Sequence, residues 1–507
     1  MRADFKRLAG RILWQLFLIS LPFSSFPLLS RLFGGTSVAP LALVFMAALA
    51  LVVVVPALLK DKTIPSQVTP LVVFFLLALC TSALAYFRQV PSFRAISLLR
   101  NGLEGFFTLL LGIGFYWVTI ICVRDEEILL KSLRWINVGA IITLVLSFAQ
   151  VLDWNIVKGY SEVMWKVQSW ISASGMLYPM RATGTAFEPS WLAHQLNTLF
   201  LPLWLGLSVQ KKSAYCWRLF RKITVENLLL FAGLLVLFLS FSRIGWLTMV
   251  FLAGYLVFRA ANQLLNSLLD SHDKHQAKKR NRLTHFLYKA LLWLAVVLGL
   301  LAVLLLLGLL LTRIDPRMER LFDLNRYRQF GLLGWASQLS FAERLIYWIS
   351  GFRVFLQHPF LGVGLGASGY YFPNLVPEFG FKLPEIVSML FFRDFIPNAK
   401  NLWVRLLAET GVVGLSVFVA WLYLHWYNAA SLERKNTAQL SGAFGLIGKL
   451  FLLALLVEGF SMDTFGLPYF WVALGLATAA FRMNQIRSSQ PSSVAVTDSQ
   501  GSEDLPD

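Results

Sequence analysis

Apolar runs of about 20 residues recur along most of the 507-residue chain, and each is long enough to cross a bilayer as one helix. They fall near 12–32, 38–59, 68–87, 103–123, 132–152, 187–209, 226–241, 244–262, 286–312, 401–427, 441–463 and 466–483. Polar, turn-forming stretches separate them. The pattern predicts an all-α polytopic membrane protein with about twelve transmembrane helices. One large loop, 313–400, lies between helices nine and ten and is too long to be a simple connector. The expected organisation is membrane helices one to six in 1–225 and seven to nine in 226–312. The loop with its own helices follows in 313–400, then helices ten to twelve in 401–484, and 485–507 forms a tail. That tail is Ser-rich and then acidic, without apolar periodicity, and reads as disordered.

Composition agrees with the pattern. The chain is 57% hydrophobic and only 14% charged. An ordinary soluble domain has roughly 25% charged residues. A net charge of +18 raises the question of nucleic acid. The excess, however, sits in short loops: Lys6, Arg7 and Arg11; Lys60 and Lys62; Lys211, Lys212, Arg218, Arg221 and Lys222; Lys274, Lys278, Lys279, Arg280 and Arg282; Arg434 and Lys435. On the predicted topology all of these share one side. The positive-inside rule makes that side cytoplasmic, with both termini on it, and removes the need for a nucleic-acid partner. Cys80, Cys122 and Cys216 show neither a disulfide framework nor metal-ligand spacing.

Within the loop, Ser340 and Glu343 have capping-box spacing ahead of Leu345, Ile346, Ile349, Phe352, Val354 and Phe355, which predicts a helix. The stretch GVGLGASG, 362–369, follows as a turn-forming segment. No Gly-Lys-Ser/Thr accompanies it, so it is not a phosphate loop. PEIVSMLFFRDF, 384–395, is short and apolar with charged ends and reads as an interfacial lid.

The unusual polar residues gather on the side opposite the lysine-rich loops. RATGTAFEPSWLAHQ, 181–195, places Arg181 and Glu188 at the lip of span six and His194 and Gln195 inside it. A charge at mid-bilayer costs about 2.5–3.5 kcal/mol on insertion scales, so such residues usually mark function. Glu188, Trp191, Gln195 and Thr198 follow helical spacing and predict one polar stripe. Arg243 sits in LSFSRIGW, 239–246, at the turn between spans seven and eight. PNAKNLWVRLLAETG, 397–411, carries Lys400, Asn401, Arg405 and Glu409 into span ten, and His358 ends the loop helix. Structural readings stand beside these: an Arg405–Glu409 ion pair, neighbour-paired Glu458 and Asp463, a satisfied interior His194 and a snorkelling Arg243. Two arginines and a lysine at one mouth suit a diphosphate, because the guanidinium fork matches phosphate oxygens bidentately.

Four segments in order, RATGTAFEPSWLA, LSFSRIGW, HPFLGVGLG (358–366) and KNLWVRLLAETGVVG (400–414), resemble the motifs of the O-antigen ligase and O-antigen polymerase superfamily. The helix layout with its large late loop is similar too. The resemblance implies an inverting, metal-independent glycosyltransferase of the bacterial inner membrane, needing no cofactor. Its donor would be a glycan on undecaprenyl diphosphate at the periplasmic face, and its acceptor a glycan or a lipid-anchored molecule. Arg181 and Arg243 match the arginines that hold the diphosphate. The position of the expected catalytic histidine is Lys400 here, followed by the expected Asn401. Two roles are open for Lys400: base, or third phosphate ligand with Glu188 or His358 as base. Asn401, Arg405, Glu409 and Gln195 are supporting residues. Glu188-Pro189 is more similar to the polymerases than to the ligases. Other readings are a polysaccharide flippase or secondary transporter, which would show internal repeats that this chain lacks, and a non-catalytic member that binds lipid-linked glycan.

Overall fold

The computed structural model describes residues 2–60, 66–275, 282–312, 341–393, 395–435 and 439–489, with isolated positions between 325 and 337. Helices dominate it. Among the described residues the one sheet is a two-stranded antiparallel ribbon, Arg218–Leu219 against Ile223–Thr224.

Seven helical segments are long and apolar enough to cross a membrane: Ser66–Ala85, Leu98–Cys122, Glu126–Val157, Arg243–Leu264, Phe286–Val303, Leu402–Lys435 and Leu440–Glu458. Three shorter apolar helices, Leu8–Ser20, Ala42–Ala57 and Val225–Leu239, accompany them. Two more elements occupy the remaining predicted spans. One is composite, Pro189–Gln195, a π-helical turn Leu196–Phe200 and Leu201–Val209; the other is Tyr469–Ser489. This is a multi-pass membrane protein.

Side-chain caps mark where several helices begin. Asp125 accepts from the Ile128 amide, Thr224 from Asn227, and Asn401 from both Trp403 and Val404. Each satisfies donors that a first turn leaves unpaired. Where helices cross, small residues let the backbones approach. Gly112 packs on Trp471, Gly206 on Ile447 and Gly139 on the backbone of Ile19, as expected where water supplies no driving force between helices. The centre is aromatic: Trp421 lies 5.5 Å from Trp471 and meets Tyr116 edge to face. The hydroxyl of Tyr116 shares hydrogen bonds of 3.1 and 3.0 Å with His425 and Thr478.

Hydrogen bonds identify two ends of the bundle. At one, Gln210 and Lys212 reach the carbonyls of Ala443 and Gln439, and Arg134 reaches that of Ala214. At the other, Leu402 bonds to Gly459, Ala182 to Leu239 and Phe187 to Ser24. The unusual polar residues of the sequence lie at this second end.

Three local expectations change. The helix of span ten runs Leu402–Lys435 and is broken at Gly411, whose φ of 66° and ψ of −172° are not helical. The helix Ala342–Gln357 starts after Phe341 without a side-chain cap; Ser340, the expected cap, lies outside the described residues. The last helix extends to Ser489, so 485–489 is helical, and 490–507 lies outside the described residues.

Candidate active site

Arg181 stands at the start of a buried turn held by specific hydrogen bonds. Residues Ala182–Ala186 are buried. The side-chain oxygen of Gln150 accepts from the Thr183 and Gly184 amides at 2.9 and 2.8 Å, and Thr185 donates to the Pro22 carbonyl. Gly184 adopts a φ of 57°, and a Cβ there would press on Ser147 and Thr143. The RATGT motif is therefore a socket cut into the helix bundle. Its outward product is the Arg181 guanidinium, which donates to the Ser240 carbonyl at 3.0 Å and lies 5.8 Å above the Tyr178 ring.

The same contacts bring Arg181 to the Arg243 turn. Ala182 N–H donates to Leu239 O at 2.9 Å, and Ser240 is three residues before Arg243, which opens its helix. Both arginines are part-buried. Glu188 precedes Pro189 and accepts from the Ser190 hydroxyl. Burial first, and then the Glu188 charge, push the Tyr178 phenol above its ordinary range, while Arg181 acts against them. Tyr178, Arg181 and Glu188 thus form one electrostatic group beside the Arg243 turn.

Below this lip lies a buried polar cluster. The Glu458 carboxylate, fully buried at the end of its helix, accepts from Asn197 at 2.6 Å and Thr248 at 2.9 Å, and pairs with His194 at 3.3 Å. Asn197 also donates to the Gly245 carbonyl. The predicted stripe through Glu188, Trp191, Gln195 and Thr198 does not continue as one face. The π-helical turn Leu196–Phe200 inserts an extra residue of register after Gln195, and Thr198 turns back onto the His194 carbonyl. Gln195 is buried, and its amide makes no hydrogen bond with the described residues.

A second cluster adjoins through Leu402 N–H, which donates to Gly459 O at 2.7 Å, one residue beyond Glu458. Arg405 and Glu409 form the expected ion pair at 3.0 Å. Arg405 also reaches the Asp463 carbonyl, and Ser368 donates to Glu409. Lys400 takes a left-handed φ of 49°, uncommon for a side chain of its size, held by its amide bonding to Asp463 at 3.0 Å. Its ammonium lies 2.9 Å from Glu385 and 4.5 Å over the Tyr347 ring. Burial, then the Glu385 charge, push the Tyr347 phenol well up. The 384–395 segment thus touches Lys400 directly.

The HPFLGVGLG segment is more than a turn. At the Gly411 break, Val363 and Gly364 donate to the carbonyls of Ala408 and Glu409, while Val412 and Val413 donate to those of Pro359 and Phe360. Four backbone groups freed by the break are satisfied by the inserted strap, the condition for irregular backbone at membrane depth. Gly362 and Gly411 each lie against the backbone of the other segment, where a Cβ would collide. His358, at the strap's start, packs on Tyr371 with ring centroids 5.5 Å apart. Burial and then Arg88 hold its imidazole below the ordinary histidine value, so it is neutral at pH 7. Arg353 bonds to the Leu375 carbonyl.

Of the residues singled out in the sequence, Arg181 and Glu188 share one group beside the Arg243 turn. Lys400, Asn401, Arg405 and Glu409 share the second, and His358 heads the strap that braces it. Asn197, Thr248, Tyr178 and Tyr347 escaped sequence reasoning, and Glu385 was noted only as a charged end of the 384–395 segment. Among those that escaped, only Asn197 had a visible signal, an amide on the first turn after His194 in an apolar run.

Residues 228–419 match the family model described as O-antigen ligase. The match contains LSFSRIGW, HPFLGVGLG and KNLWVRLLAETGVVG; RATGTAFEPSWLA precedes it. No curated protein matches the chain.

Proposed function

We propose that this chain, a member of the O-antigen ligase and polymerase superfamily by its match over 228–419, is an inverting glycosyltransferase of the bacterial inner membrane. It takes glycan from undecaprenyl diphosphate at the periplasmic face and passes it to a glycan or lipid-anchored acceptor. The observation that carries the reading is the bond from Arg181 to Ser240, which fastens one arginine to the turn that supplies the other.

In this reaction the acceptor hydroxyl oxygen attacks the anomeric carbon as the bond to the diphosphate breaks. The leaving group takes the electron pair and the hydroxyl proton passes to a base. The diphosphate leaves with charge spread over its oxygens, so the enzyme supplies charge stabilisation and positioning. Arg181 and Arg243 grip the diphosphate, and Lys400 is its third cationic ligand. Lys400 pairs with the Glu385 carboxylate, and a side chain that already binds one anion suits the ligand role. The base is then His358, neutral at pH 7, or Glu188, which stands in the Arg181 group. Asn401, Arg405 and Glu409 keep the start of the Leu402–Lys435 helix in place, and Gln195 is a supporting residue buried beneath the lip. Glu188-Pro189 favours polymerisation over ligation.

The test is transfer by the purified full chain from undecaprenyl-diphosphate-linked glycan, with Arg243→Lys and Arg243→Ala compared. Hydrogen bonds to a charged partner contribute about 1.5–3 kcal/mol, so loss of one guanidinium should cost roughly 10- to 150-fold. Lysine should rescue poorly, because it lacks the bidentate fork. Full activity in both variants sinks the clamp.

A further inference from the structure

At the end of the bundle opposite this site lies a cavity of about 990 Å³ that the proposed reaction does not use. It opens among Arg2–Ser20, the continuous Ala50–Val54 and Val55–Lys60 segments, Leu98–Cys122 and Glu126–Val157, with Tyr215 from the loop after Leu201–Val209. Its walls are apolar toward the bundle, with Trp14, Val52, Val53 and Trp135 among them. Its rim carries four cations, Arg11, Arg124, Lys131 and Arg134, against two carboxylates. Both carboxylates are spoken for: Asp125 caps the Ile128 amide and Glu127 pairs with Lys131. Arg134 is fixed by the Ala214 carbonyl and lies 5.5 Å from the Tyr215 ring centroid. Arg11 and Arg124 are exposed at the rim. The net charge of the rim is positive while the wall beneath it is greasy.

We propose that this cavity is a binding site for an anionic phospholipid, with its phosphate between Arg11, Arg124 and Arg134 and an acyl chain along Val52 and Val53. The helix ends here carry the lysine- and arginine-rich loops, so the rim lies at the depth of the headgroups of one leaflet. A soluble anion would use the cations alone and leave the apolar wall unexplained. A zwitterionic lipid would use the wall and leave the cationic excess unexplained. Basic pockets between transmembrane helices recognise anionic headgroups by this combination.

The experiment measures thermal unfolding of the detergent-purified full chain with added phosphatidylglycerol, phosphatidylcholine or inorganic phosphate. Phosphatidylglycerol should raise the midpoint, and the other two should leave it unchanged. The double variant Arg11→Gln/Arg124→Gln removes two exposed charges and should weaken the phosphatidylglycerol response roughly thirtyfold in concentration. Val52→Trp fills the wall with all charges kept and should also abolish the response. Equal stabilisation by phosphatidylcholine, or by phosphate alone, overturns the proposal. So does an undiminished phosphatidylglycerol response in both variants.

Discussion

The Lys400 ammonium lies 2.9 Å from the Glu385 carboxylate, so the short apolar helix Pro384–Phe391 is latched onto the start of the Leu402–Lys435 helix. Both side chains are part-exposed, and such pairs contribute about 0–1 kcal/mol. The latch is weak enough to be exchanged for a bound phosphate. Under the phosphate-ligand role, Lys400→Arg retains most transfer activity and Lys400→Ala loses it. Under the base role, Lys400→Arg is dead and Lys400→His works with a lower pH optimum. Glu385→Gln frees the lysine and should lower KM for the lipid-linked donor up to about fivefold, the whole energy of such a pair. Steady-state kinetics of the four variants separates these cases, and normal turnover in Lys400→Ala rejects both roles.

His358 gives the pH dependence. Its folded value is depressed, by burial first and by Arg88 second. Protonation therefore favours the unfolded chain. The stabilising contribution is present above the ordinary value of about 6.5 and is lost as pH falls through the depressed one. For catalysis the sign is the same: a His358 base gives a kcat/KM profile flat at pH 7 with an acid limb below about 6.5. His358→Gln should remove that limb along with most activity. A limb that survives the substitution shows that His358 is not the base.

Glu458 holds three donors in a fully buried site. Glu458→Ala leaves His194, Asn197 and Thr248 facing a hole, and a buried polar group left without its hydrogen-bond partner costs about 1–3 kcal/mol. Glu458→Gln keeps the shape and two of the acceptor contacts and should cost less. Thermal unfolding in detergent orders the variants, and an unchanged midpoint in Glu458→Ala contradicts a structural role for the cluster.

Gly411→Ala puts a Cβ into the Phe360 carbonyl at a left-handed φ. The conformation alone costs about 1–3 kcal/mol. The expected result is release of the 359–366 strap, seen as new protease cleavage there, with the remaining helices intact. A cleavage pattern identical to the parent chain would show that the break tolerates a side chain.

The helices were legible because a bilayer demands long apolar runs, a signal local to each segment. The Arg405–Glu409 pair was legible for the same reason, its partners being one turn apart. What escaped depends on distant partners. Glu458 meets His194 across 264 residues, and no period or composition links them. The break at Gly411 reads in sequence as one of two glycines, with Gly414, in a long helix, each ordinarily tolerated at a cost of about 1 kcal/mol. Only the strap packed against it makes the break stable. The extended backbone of Glu188 and the π-helical turn after Gln195 likewise break a stripe that regular helical spacing drew as continuous.

The strap and the broken helix have a consequence for inheritance. Gly362 has no room for a side chain because of Ala408–Thr410, and Gly411 has none because of Phe360 and Leu361. Two stretches that look like separate signatures are halves of one joint. A recombinant that imports the large loop of a relative without the matching start of the Leu402–Lys435 helix would bring half a joint. The transferable module runs from His358 through Gly414, and the segment ahead of the Leu402–Lys435 helix is not by itself a separable cassette.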